Sequence, residues 1–523
     1  MRKAFRNTTI ALMSAILLVS LGVLLVMSGC SKPKVTLIIS VKGEGTTTPA
    51  PGQHEIVKNT VVTLKVKPNS GSTFSHWDGP DSSAVTDSDK ILMDKDRTLT
   101  AVFVEAEIGI HTQPVDGVAG QIISGESGYP TVKVTAPEGT PLSGIKVTAS
   151  VKSGAPLSGT LTKKTDATGL AVFNDLVMME EGHHTLVFSC PGLRIESNSI
   201  EFDLAGAGTE ADPYLIHNIY GLNCIKRNLS AVYHLVRDID ASATKTSGTL
   251  YWNDGKGWQP INNFSGTLEG NSHKIKNLYI NRPNDSKVGL FGNLKYPDQA
   301  IIGNLNLVDI DITGLDYVGA LIGYMLNQPT MQNCSVSGTV TGSTCVGGLL
   351  GYAESGAVSK CSSSADVTGI DAVGGLIGNA NPSNVTCCYA SGDVVASNSI
   401  AGGLAGIASY DCVFSNCYSW ADVSASSEAG GFVGMVLNFA NFFECYAAGK
   451  VTGDFSGGFA STTLTPGVIR NCFFDSTVCG YTYAPYEIEA KTTEELKDPD
   501  TYDEFWDRAV WNIVAGQYPT LKP

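Results

Sequence analysis

The chain has 523 residues, of which only 16% are charged and 57 are glycine, and its formal net charge is −15. That length allows several domains, while the acidic balance excludes the basic footprint that nucleic-acid binding requires. The 13 cysteines are an odd number and six of them fall in one repeating column, so a disulfide framework is not the natural reading.

In chain order, residues 1–30 read as an export signal. Arg2, Lys3 and Arg6 give a basic start, Ile10 to Met27 is an almost unbroken apolar run, and Met27-Ser-Gly-Cys30 closes it. Those last four residues resemble a lipobox. The resemblance implies acylation of Cys30, cleavage before it, and a lipid anchor in a membrane; an ordinary signal peptide or a membrane anchor is the alternative. Ser31 follows, so the Asp that retains some lipoproteins at an inner membrane is absent. No later segment is apolar enough to span a bilayer.

Residues 31–106 predict a small all-β module, with strands over Val35–Val41, Thr60–Val66 and Thr98–Val104 between Gly- and Pro-rich turns. Gly43-Glu-Gly45, Pro51-Gly52, Phe74-Ser-His-Trp77-Asp-Gly79 and Thr100-Ala-Val-Phe103 resemble the divergent internalin-type B repeat. Trp77 is expected in the core of so small a module rather than as a ligand platform. Residues 107–205 predict a second β-sandwich-like module. There Pro141 to Val147, and the turn and strand from Thr165 to Phe173, resemble a bacterial Ig-like sandwich of the invasin type. Asp166 reads as a turn residue. His183 and His184 lack spaced ligand partners and read as exposed. Together the two modules would form a stalk.

Residues 206–490 are organised by a repeat. Glycine-rich heptads begin at Val288 (VGLFGNL), Val318 (VGALIGY), Val346 (VGGLLGY), Val373 (VGGLIGN), Ala401, Ala429 and Ser456, spaced 30, 28, 27, 28, 28 and 27 residues apart by subtraction. A second column keeps step: Cys334, Cys361, Cys388, Cys417, Cys445 and Cys472, each followed six residues on by Val340, Val367, Val394, Val423, Val451 and Val478. A fixed period of this size marks stacked units that share a core. The unit is too glycine-rich for a helical pair, and segments such as Cys388-Tyr-Ala-Ser-Gly-Asp-Val394 alternate as strands do. The fold class is therefore all-β: two small modules, then a parallel β-helix or β-solenoid of about 28-residue repeats. The heptads should supply a further strand, bent at the paired glycines. The G-G-L-x-G heptads followed by N-C-Y-x-x-G-x-V resemble the GLUG motif repeats, which implies an adhesion-like cell-surface protein. Ile219 to Leu229 should cap the first coil. Residues 491–523 should cap the last, through Trp506, Val510, Trp511, Ile513, Tyr518 and Leu521, after a helix start at Lys491-Thr-Thr-Glu-Glu-Leu496.

Three side-chain columns are candidates for chemistry. The cysteines share a face with Val336, Ala390 and Ala447, so they are expected inside as small hydrophobes; a straight ladder lacks the convergence that tetrahedral metal binding needs. One residue after the cysteines come Tyr389, Tyr418 and Tyr446, and five after come Asp366, Asp393 and Asp422. Stacked in register, they would form outward aromatic and acidic strips. Aromatic faces beside carboxylates suit sugar rings; carboxylate rows could also supply the oxygens that Ca²⁺ takes, but nothing else in the sequence supports it, and no cofactor or metal is expected. The plainer alternative is that tyrosines fit strands and Asp rows are tolerated at exposed turns. Glycoside hydrolysis needs two carboxylates about 5 to 9.5 Å apart, but a catalytic pair is a local departure from a repeat, and these acids belong to it. The expectation is a non-enzymatic, membrane-anchored protein that binds a glycan or a surface protein; a polysaccharide-degrading β-helix or a purely structural envelope component are the alternatives.

Overall fold

The computed structural model describes residues 32–523, except 70, 87, 126–127, 295–299, 327, 462–466 and 503–504. The export signal and Cys30 lie outside the described residues. Two compact units emerge: one runs to Val115 and includes Ile122–Val177 and His184–Ile200, and the other comprises Asp116–Gln121, Met178–His183 and Glu201–Pro523.

In the first unit a four-stranded sheet has the order Gly52–Val57, Lys34–Lys42, Arg97–Glu105, Ser72–Asp78, with its two central strands parallel. Strand alternation turns Leu37, Ile39, Leu99 and Ala101 inward. Trp77 joins them at 8% exposure, so it is a core residue. Beyond this sheet, Thr131–Thr135 pairs with Glu107–Thr112 and Leu170–Val172, and Lys146–Val151 pairs with Thr162–Lys164 and with Leu186 to Ser189, all antiparallel. Phe173 and Phe188 meet in the interior at 5.1 Å. Asp166 is a turn residue: its Oδ1 accepts from the Thr168 and Leu170 amides at 2.8 and 3.1 Å. His184 departs from its reading. The strand Gly182–Cys190 leaves His183 exposed but turns His184 inward.

In the second unit the repeat builds a parallel β-solenoid. One coil, from 357 to 381, contributes Ala357–Ser359 to a first sheet, Ser362–Ser363 and Asp366–Gly369 to a second, Asp371–Gly374 to a third and Ile377–Asn381 to a fourth. Each strand pairs in parallel with its equivalent one coil away, as Val340, Val367 and Val394 do. The heptad is therefore not one strand but two, in the third and fourth sheets, with a kink at Gly375-Leu376. Stacked Phe414 and Phe442 (5.4 Å) and Phe432 and Phe459 (4.7 Å) fill the late coils, and the two pairs cross edge to face.

The six column cysteines are buried and free. Cys334, Cys361, Cys388, Cys417 and Cys445 each place Sγ 3.2 Å from the carbonyl two residues back. Burial pushes the Cys361, Cys388 and Cys445 thiols well above their ordinary range, so they are neutral packing groups. Cys345 and Cys479 are buried as well, and among the described residues Cys387 alone is half-buried. Because the column thiols are buried and Cys387 is half-buried, alkylation of the native chain at pH 8 should mark Cys387 first and the column only after denaturation. Peptide mass mapping checks this, and early labelling of Cys361 or Cys388 would contradict it.

Both ends of the solenoid are finished. Asn218 caps the helix Ile219–Cys224, which sends Leu222 and Cys224 into the core. Buried Glu181 accepts from the His217 and Asn218 amides at 2.9 and 3.2 Å. At the far end the valine column breaks: Val478 lies in the helical turn Ser476–Cys479 rather than in a strand. Ile488–Lys491 then adds a parallel strand beside Cys472–Asp475. A capping box of Thr492 and Glu495 starts the helix Thr493–Leu496, where a helix start is expected.

Candidate functional site

The tyrosine column forms as the spacing predicts. Tyr389 pairs with Tyr418, Tyr418 with Tyr446 and Tyr446 with Phe473. The rings of Tyr389 and Tyr418 stack at 4.8 Å and 2°, and those of Tyr418 and Tyr446 at 5.3 Å and 16°. The column is not an open platform, however. Tyr418 is 3% exposed, Tyr446 is 0%, and Tyr389 is half-buried.

Two physical reasons account for this. Stacking one coil apart spends the ring faces on each other, and the chain after Leu496 folds back over the edges. Trp506 packs on Phe473 at 5.7 Å, Trp511 on Tyr418 and Tyr446 at 6.1 Å each, and Tyr518 on Tyr446 at 6.3 Å. The Tyr446 hydroxyl donates to the Pro519 carbonyl (2.6 Å) and accepts from Trp420 Nε1 (2.8 Å). The terminal aromatics therefore cover the flank of several coils, not only the last one. Asp475, fully buried, anchors this segment by accepting from the Thr477 and Val478 amides and from the Thr493 and Tyr518 hydroxyls.

The acidic column is exposed, as expected, at Asp366, Asp393 and Asp422. Two of its carboxylates are engaged along the stack. Asp366 Oδ1 accepts the Asp393 amide at 3.2 Å, and Asp422 Oδ1 accepts the Lys450 amide at 2.9 Å. Among the described residues no group of three or more His, Cys, Asp or Glu side chains is arranged to hold a metal ion.

A second aromatic group, which the sequence analysis does not single out, spans the third and fourth sheets. Tyr324 and Tyr352 stack at 5.0 Å and 5°, and Tyr317 meets both edge-on at 5.3 and 5.7 Å. Asn381 donates to the Tyr352 hydroxyl at 2.7 Å, and Lys287 Nζ stands 4.5 Å from the Tyr324 ring. All three tyrosines are half-exposed. A signal was present, since VGALIGY and VGGLLGY both end in tyrosine. Tyr317 joins them because its left-handed backbone (φ 57°) swings its side chain out of the strand alternation.

Residues 35–107 match the divergent InlB B-repeat domain, and residues 342–368 match the GLUG motif. The chain carries both. The GLUG region lies within the solenoid and holds the heptad from Val346 together with Cys361 and Val367 of the cysteine and valine columns. Halomucin of Haloquadratum walsbyi is 31% identical over 274 residues, 47% of this chain but 3% of that protein. A protein of Evansella cellulosilytica described as a Gly-rich membrane protein is 34% identical over 139 residues, 25% of this chain and 15% of that one. The chain thus spans only a small part of these relatives. A solved structure from Bacteroides ovatus, described as an immunoglobulin A1 protease, aligns over 61% of this chain and 94% of that one at 22% identity and a TM-score of 0.43.

Proposed function

We propose that this chain is a lipid-anchored, extracytoplasmic protein whose solenoid serves adhesion, binding a glycan or a neighbouring surface protein without catalysis. The observation that carries the reading is the regularity of the outer columns. Coil after coil presents the same exposed position over one continuous apolar core, as at Asp366, Asp393 and Asp422. Repeated shallow contacts of this kind gain strength by multivalency rather than by enclosing a substrate. The Asp column repeats with the coils, and Asp366 and Asp422 each accept the backbone amide one coil on, unlike a catalytic pair with two distinct environments. Halomucin and the Gly-rich membrane protein support a place at the surface or membrane. Among the described residues no helix is long and apolar enough to cross a membrane, and acylated Cys30 would supply the anchor.

Two measurements test the reading. Cys30→Ser should move the protein from the detergent-extracted membrane fraction to the soluble fraction; retention in the membrane would remove the lipid anchor. The purified chain should bind members of a glycan array, with and without Ca²⁺, and leave them uncut. Cleaved glycans would overturn the non-enzymatic reading, and an array blank in both conditions would shift the ligand to a surface protein.

A further inference from the structure

At the entry to the first heptad, residues 282–288 face residues 259–262 across a cleft of about 440 Å³. Arg282 forms its wall. The side chain is only 12% exposed, with Nε donating to the Trp258 carbonyl (3.0 Å) and Nη1 to Asp285 (3.2 Å). Among the described residues its Nη2 has no hydrogen-bond partner. Lys287, on the rim, has no carboxylate partner among the described residues and rests over the Tyr324 ring at 4.5 Å. The side-chain amides of Gln259, Asn262 and Asn284 also line the cleft and make no hydrogen bond among the described residues. Behind the wall, Lys226 lies 4.7 Å from the Trp258 ring, and burial followed by the Arg282 charge brings its ammonium down to about 8.

We propose that this cleft binds an anionic saccharide. Arg282 and Lys287 receive a sugar carboxylate, and the amides of Gln259, Asn262 and Asn284 receive ring hydroxyls. Side-chain amides both donate and accept, which matches vicinal hydroxyls. A guanidinium already fixed by Trp258 pays little to order itself around a carboxylate. The cleft lines two cations against the single Asp285 in a chain of net charge −15, so the positive sign is a local departure. The site rests on the reading of the solenoid as a glycan binder, and it gives that reading a place and a charge.

The test uses the full chain and two probes, tetragalacturonate and its methyl ester, which keeps the rings and removes the charge. Calorimetry should show the free acid binding at least tenfold tighter than the ester, with affinity falling as salt rises from 50 to 500 mM. Arg282→Gln and Lys287→Gln should each weaken the acid about tenfold, the scale of one charge-assisted hydrogen bond. Because Arg282 also holds Trp258, Asn284→Ala serves as a variant that breaks no internal bond, and it should weaken binding severalfold with an unchanged melt. Equal binding of acid and ester, no binding of either, or indifference to Lys287→Gln and Asn284→Ala would overturn the site. Loss of this site with array binding intact leaves glycan recognition standing elsewhere on the solenoid, whereas a blank array removes both.

Discussion

Trp511→Ala is expected to cost about 3 to 5 kcal/mol, the usual range for deleting a fully buried large aromatic. Trp511 is 1% exposed and touches Trp506 at 4.6 Å and Tyr418 and Tyr446 at 6.1 Å each, and its Nε1 donates to Asn416 at 2.9 Å. The substitution removes the ring that joins the returning segment to the tyrosine column and leaves the Asn416 carbonyl oxygen without its donor. Each coil contacts chiefly its neighbours, so the loss should be local. Amide exchange should quicken between 506 and 521 and in the Tyr418 and Tyr446 strands, while the coil from 357 to 381 keeps its protection. Limited proteolysis should then cut within the terminal segment before the coils, and Trp511→Phe should recover part of the protection. Unchanged exchange in the tyrosine strands would mean that this segment does not hold them.

The same comparison shows why some features were legible and others were not. A column recurs once per coil, so the Cys388, Ala390 and Val394 positions declare an interior face many times over, and the structure places all three at 0% exposure. Register follows from the same repetition, which is why the Tyr389 and Tyr418 rings align within 2°. Exposure does not follow from it. What covers a column comes from residues outside the period, and Trp506, Trp511 and Tyr518 reach Tyr446 from chain that no periodicity indexes. Asp475 was hidden for a related reason: its four donors come from a helical turn that interrupts the repeat and from the returning segment. The Arg282–Lys287 cleft likewise lies between the opening coils and the first heptad. Periodicity does not show that the heptad splits into two strands: the kink falls at Gly375-Leu376, and the later glycine, at the position of Gly351, Gly378 and Gly406, sets how near the third and fourth sheets lie.

Gly378→Ala puts that last point to the test, with an expected loss of about 3 kcal/mol or more. A Cβ at Gly378 would stand 2.5 Å from the Gly351 carbonyl oxygen, 2.5 Å from the Cys345 carbonyl carbon and 2.6 Å from the Val346 amide nitrogen. All three are backbone atoms, so no side-chain rotation relieves the clash, and the third and fourth sheets must part. Overpacking of this kind usually costs about 1 to 3 kcal/mol even where side chains give way. The left-handed penalty plays no part, because Gly378 does not have a positive φ. Gly480 separates the two effects: it has φ +80° with nothing within 4 Å of a Cβ, so Gly480→Ala should lose only the conformational cost, about 1 to 2 kcal/mol. Urea melts of the two variants would rank them. Gly378→Ala should be the less stable, with exchange rising at Val346, Gly351 and Ile377, and a loss smaller than that of Gly480→Ala would show that the sheets have room for a methyl group and that the glycine column is not what brings them together.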